Sequence, residues 1–226
     1  MALVLALILL AGMVPVKASA AESKENNILL EFGSPDYCRL KSAKLPGWTD
    51  ADLLLYSWYW NGYEEECAKL YYSVSREDDR VSVPQEIQDD ETWDMDPFIF
   101  TDNDATFNNN MLVAWTDANK KFDGSETKDE IAGSMRISVT ALKSSTLVFA
   151  NQILTVTKSS DNVSMYNPHV TKVGDKILIT WVVCSDVKND DGAYGIEGLY
   201  YDPDTNKFSS DDNKTDADGN VIPLSL

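Results

Sequence analysis

From residue 46 onward, apolar residues come in short runs separated by clusters of Asp, Asn, Gly and Ser. The clearest runs cover residues 53–60, 111–115 and 177–183, and each carries a tryptophan. LLYSW ends at Trp58, LVAW at Trp115 and LITW at Trp181. Enrichment in β-branched and aromatic residues, bounded by turn formers, predicts strands. Beyond the first twenty residues no stretch sustains a helical apolar period, so helices are expected to be few. The pattern predicts an all-β fold.

The runs also recur in a fixed order. A proline-containing lead-in comes first: LPGWT at Pro46, MDPFIFT at Pro97 and NPHVTKV at Pro168. The tryptophan strand follows. After a polar loop of variable length comes a partner strand, around Tyr72, Ile137 and Tyr200, which sets Arg136 level with Tyr71 and Leu199. A short closing segment ends each unit, at Ile87, Ile153 and Phe208. Three units of four short strands predict the four-stranded antiparallel blades of a β-propeller.

These motifs resemble the blades of the sialidase-like propeller superfamily and of related secreted bacterial repeat proteins. The local match is YYSVSREDDRVSVPQEI, residues 71–87, which is similar to an Asp-box hairpin. Ser75, Asp78, Ser82 and Pro84 can be placed on that pattern; its glycine and tryptophan are absent, with Asp79 and Val81 nearby. The resemblance implies blades at 46–90, 91–157 and 158–226, following a segment at 21–45. Three blades are fewer than the four to eight that close a propeller. Either the chain is a piece of a longer protein, or residues 21–45 add partial strands, or partners complete the ring. The expectation is the first, with further blades or domains in a longer protein, and the apolar tail DADGNVIPLSL read as the start of another strand.

The first stretch, MALVLALILLAGMVPVKASA, is almost wholly apolar from Ala2 to Val16 and ends in Ala18-Ser19-Ala20. A short apolar run closing on a small-x-small motif predicts a signal peptide at 1–20, hence a secreted or cell-surface bacterial protein without a membrane span after processing. Cys38, Cys67 and Cys184 are odd in number, so at least one is unpaired within the chain. Cys38 and Cys67 could bridge, and Cys184 reads as a small buried strand residue.

Composition changes the picture mainly by exclusion. The 226 residues carry 37 acidic against 19 basic side chains, a net charge of −18. A nucleic-acid partner, which needs clustered Lys and Arg, is not expected. The acidity is concentrated in the loops between strands.

Candidate chemistry is sparse. Sialidase catalysis needs an arginine cluster, and the chain has only Arg39, Arg76, Arg80 and Arg136. Asp94, Asp96 and Glu130 are candidates for the paired carboxylates of glycoside hydrolysis, although solvated loops explain each. His169 is the only histidine and lacks a nucleophile elbow. Calcium is the one cofactor with a local hint, in the segment 202–220, where Asp216, Asp218 and Asn220 supply oxygen ligands; an acidic solvated loop is the plainer alternative. A weaker hint is Asp117, Asn119 and Asp123 before Gly124. Among the aromatics, Trp58, Trp115 and Trp181 read as core between blades, which leaves Trp60, Tyr63 and Trp93 as ligand-binding candidates. The expectation is a secreted propeller-like domain that binds glycan or protein and is not itself an enzyme. The alternatives are a fragment of a propeller glycoside hydrolase and a structural spacer.

Overall fold

The computed structural model describes residues 39–226, apart from 63–64, 79, 89, 103–109, 144–145, 150–152, 188–192, 203–204 and 211–213. The proposed signal peptide, Cys38 and Tyr63 therefore lie outside the described residues. The rest form three antiparallel sheets, each following chain order from one edge to the other. The first contains β1 (Arg39–Lys44), β2 (Ala51–Gly62), β3 (Glu65–Arg76) and β4 (Gln85–Glu86). The second contains β5 (Asp94–Thr101), β6 (Asn110–Ala118), β7 (Met135–Lys143) and a split outer strand, β8 (Val148–Phe149) with β9 (Leu154–Thr155). The third contains β10 (Val163–Val173), β11 (Lys176–Ser185), β12 (Ala193–Asp202) and another split outer strand, β13 (Lys207–Ser209) with β14 (Leu224–Ser225). These are propeller blades: four-stranded meanders stacked face to face in sequence. Nothing in the three sheets singles out the sialidase-like class.

The stacking follows from the side-chain period of two along a strand. In β6, Met111, Val113 and Trp115 face the first sheet, where they join Leu53, Leu55, Leu70 and Tyr72 in one core. The intervening Leu112 and Ala114 face the third sheet and pack with Met165, Val170, Ile179 and Trp181. All five β6 residues are fully buried. A run apolar at every position therefore marks a strand covered on both faces. The first strand of each following blade lies across the preceding one: β5 packs against β1, β2 and β3, and β10 against β5, β6 and β7. Trp115 and Trp181 are core between blades, as their strand positions predict.

Four expectations are corrected. The first sheet begins at Arg39, ahead of residue 46, because RLKSAK pairs with β2 although it has little apolar alternation. Pro46 thus lies in the turn between β1 and β2, where Gly47 takes a φ of 79° and Trp48 N–H donates to Leu45 C=O at 3.0 Å. The C-terminal tail does not start a new unit: β14 pairs with β12 at Glu197–Ser225 and closes the outer edge of its own sheet. A helix, α1 (Lys128–Ser134), occupies a stretch read as loop. Its seven residues are too few for a periodic signal, but Thr127 and Glu130 cap it reciprocally.

If both faces of β6 carry the stacking, Met111→Ala and Leu112→Ala should each cost about 2–5 kcal/mol. Val83→Ala, at a site 55% exposed, should stay within about 0.5 kcal/mol. Urea denaturation of the three variants checks this, and a loss confined to one face of β6 would contradict it.

Candidate functional site

Polar chemistry gathers where β5 begins and β6 ends. Register sets Asp94 directly opposite Asp117, and Asp117 opposite Arg136, so the three share the face turned toward the first sheet. Asp94 is 1% exposed and Asp117 0%. The indole N–H of Trp115 donates to Asp94 Oδ1 at 2.6 Å, which satisfies the tryptophan at the edge of its core. Asp117 Oδ2 accepts from Arg136 Nε at 3.1 Å and from the Ser138 hydroxyl. Thr92 ties in Asp90: its hydroxyl donates to Asp90 Oδ1 at 2.7 Å, as its backbone N–H does at 3.0 Å.

One guanidinium thus faces several carboxylates. Burial pushes the Asp94 carboxyl well above its ordinary range, and the nearby charges of Asp117 and Asp90 push it further. Burial also raises Asp117, opposed by Ser138 and by Arg136. Asp94 consequently holds a proton more tightly than an exposed aspartate does. The third sheet has a looser counterpart: Trp181 pairs across strands with Glu197, whose carboxyl is raised by burial. The Asp94–Asp117 pair is closed off from solvent, so it holds the strand ends and cannot reach a ligand.

Access is found two residues further along β5. Asp96 has a φ of 47° and precedes Pro97, at a bulge where the pairing register shifts between Met95 and Phe98. Asn167 repeats the device in β10, with a φ of 54°, Pro168 next, and a register shift between Tyr166 and His169. A left-handed conformation is costly for a residue with a Cβ, and a following proline restricts the backbone further. Both prolines are buried, while Asp96 is half-buried and Asn167 exposed. β5 and β10 are the edge strands of their sheets and pack against each other. Two strained, polar, pre-proline positions therefore sit on neighbouring first strands. The Asn167 N–H donates to Thr116 Oγ1 at 3.1 Å, which locks the third blade's bulge onto β6. Such bulges re-aim side chains and are common beside functional sites.

The other sequence candidates are scattered. Trp93 is half-buried and meets Phe122 edge-on, with centroids 4.9 Å apart, in a small cluster beside Met95 and Ile131. Trp60 lies in β2 opposite Cys67, and its side chain falls outside the described residues. Asp216 uses its carboxylate within its own turn, accepting from the Asp218 N–H at 2.9 Å and from the Asn220 N–H and Nδ2 at 2.8 and 3.0 Å. Among the described residues no three His, Cys, Asp or Glu side chains are grouped to hold a metal ion. Asp123 accepts from the Ser125 N–H at 2.9 Å within its own turn. Glu130 serves the α1 cap. His169 packs on Phe98 at 4.2 Å. Arg136 lies opposite Asp117, not level with Tyr71 and Leu199, because the register runs from Trp115 opposite Ser138. Sequence reasoning named Asp94 and Asp96 but missed the Asn167 repeat, although DP and NP in matching lead-ins are a readable signal.

Fold and site together define a propeller domain with a polar, strained inner edge. No protein-family model and no curated protein matches the chain. Among solved structures, it is similar to an endo-arabinase from Bacteroides thetaiotaomicron, with 15% identity, 91% of this chain and 65% of that one covered, and a TM-score of 0.48. An α-L-arabinanase from Penicillium chrysogenum complexed with arabinobiose shares 10% identity over 79% of this chain and 52% of its own, with a TM-score of 0.48. The GH93 α-L-arabinofuranosidase of Fusarium graminearum shares 14% identity with the same coverages and TM-score. The chain spans about half to two thirds of the length of these enzymes. At that distance function has to be argued from the chain's own residues.

The raised Asp94 carboxyl gives a pH signature. Its folded pKa lies above the ordinary 3.8, so the native state holds a proton that the unfolded chain releases earlier. That contribution is full below the unfolded pKa and declines as pH rises toward the folded one. Asp94→Asn should remove the decline, leaving the variant more stable than wild type at neutral pH, with the gap closing toward acid. Urea midpoints across pH check this, and a gap independent of pH would contradict it. Trp115→Phe, which leaves the buried Asp94 oxygen without its donor, should cost about 1–3 kcal/mol.

Proposed function

We propose that the chain is a secreted propeller domain that acts on glycans as part of a glycoside hydrolase, with Asp96 as a substrate-side carboxylate. The observation that carries this reading is the repeated strained bulge at Asp96-Pro97 and Asn167-Pro168 on adjacent first strands. Strain of this kind, of order 1–3 kcal/mol per residue, persists where the surrounding structure fixes a side chain for use. Asp96 can accept or donate a proton at a glycosidic oxygen or a water, and Asn167 can both donate to and accept from sugar hydroxyls. Hydrolysis needs a second carboxylate about 5–9.5 Å from the first, across the scissile bond. Asp94 and Asp117 are too enclosed to supply it, so their role is to hold the end of β5 in place. Trp60, Tyr63 and Trp93 are the aromatic candidates for stacking on the sugar. Export is supported by the apolar N-terminal run ending in Ala18-Ser19-Ala20.

The experiment is turnover of a panel of aryl glycosides and arabino- and xylo-oligosaccharides, with binding followed in parallel by calorimetry. Asp96→Asn should lower turnover by about 10²–10⁴-fold, the usual worth of an acid–base group, while oligosaccharide binding persists. Turnover equal to wild type in Asp96→Asn would overturn the assignment. Binding without turnover in the wild-type chain would favour a glycan-binding module, and neither binding nor turnover would remove the glycan reading altogether.

A further inference from the structure

The two bulges end in rings that touch. Phe98 follows Asp96-Pro97 and His169 follows Asn167-Pro168, and each is the first residue to pair again after its register shift. Equivalent positions of two repeats therefore carry a phenyl and an imidazole, with centroids 4.2 Å apart and planes at 49°. The contact sets the bulges side by side. Asp96 and Asn167 each precede their ring by two residues, about 7 Å along a strand.

The imidazole reaches this place from the far side of its own sheet. His169 pairs with Thr180, whereas the neighbouring pair, Val170 and Ile179, lies in the core shared with the second sheet. Successive residues of a strand point to opposite faces, so His169 starts on the face turned away from that core. Phe98 packs against the same core from β5. To meet Phe98, the His169 ring has to fold round the edge of β10. It stands on the edge formed by the first strands, not on a sheet face. Blades stack through their faces around a central channel, so the ring keeps its access whatever lies against the third sheet.

His169 and Asn167 are exposed, and their backbones make their hydrogen bonds. The Asn167 N–H donates to Thr116 Oγ1, and the Thr180 hydroxyl donates to the His169 carbonyl at 3.4 Å. Among the described residues, no hydrogen bond engages the Asn167 amide or either imidazole nitrogen. A ring held by packing, with both nitrogens open, is a pre-positioned donor and acceptor.

We infer that His169 is a substrate-binding residue of the Asp96 edge, where its imidazole hydrogen-bonds a ring hydroxyl of the bound sugar. This role rests on the glycan reading and names a residue that selects the sugar. A neutral sugar suits the place, because the Asp96 carboxylate and the net charge of −18 disfavour an acidic one.

His169 is the only histidine, so its two carbon-bound ring protons give unambiguous NMR signals in the full chain. Titration with arabinotriose and with xylotriose should displace both signals for at least one of these sugars. His169→Ala should raise KM for that sugar, or Kd by calorimetry where there is no turnover, about tenfold, the worth of one hydrogen bond. Any kcat should change by less than about threefold, in contrast to the kcat loss expected of Asp96→Asn. His169→Gln, which keeps a donor and an acceptor, should recover part of the affinity. Ring signals that stay in place at saturating sugar, or wild-type affinity in folded His169→Ala, would overturn the inference and leave the glycan reading standing. If neither sugar is bound or turned over, both fall.

Discussion

The structure depends on one strand that is buried on both sides. β6 sends Met111, Val113 and Trp115 into the core with the first sheet and Leu112 and Ala114 into the core with the third. Two interfaces that share five consecutive residues cannot be repacked separately, because a shift of one residue in register would exchange the two faces. Beyond Trp115 the strand turns polar, and Asp117 is held buried by Arg136 and Ser138.

That polar end connects the core to the inner edge. Trp115 is held by Asp94, Asp94 starts β5, and Asp96 follows within the same strand. Thr116, on the other face of β6, holds the matching bulge at Asn167. The two strained positions are therefore fixed from opposite faces of a single strand, which is the over-determination that left-handed pre-proline residues require. An edge built this way has its polar groups set by packing rather than by loop conformation.

Much of this was legible in the sequence, for physical reasons. A run apolar at every position, as at 111–115, announces burial on both faces, and the tryptophan in each run marks Trp115 and Trp181 as core. Short, half-polar elements gave no such signal. β1 alternates weakly, and the more conspicuous signal beside it, Pro46, belongs to a turn. The tail at 216–226 reads as a new strand because pairing across a long excursion to β12 leaves no local trace. The site was half visible. Asp94, Asp96 and Glu130 are readable as carboxylates that solvated loops explain as well, because pairing with Asp117 and Arg136 depends on register, and the bulge that separates a buried Asp94 from a half-buried Asp96 is a backbone property.

Native-state hydrogen exchange followed by mass spectrometry tests the central claim, that β6 is the shared wall of two interfaces. Amides of residues 111–117 are then the slowest to exchange and open only with global unfolding, while the short outer strands β4 and β13 open locally with much smaller free energies. Exchange of β6 at rates typical of those outer strands, or protection that vanishes when only one neighbouring sheet is destabilised, would contradict the account.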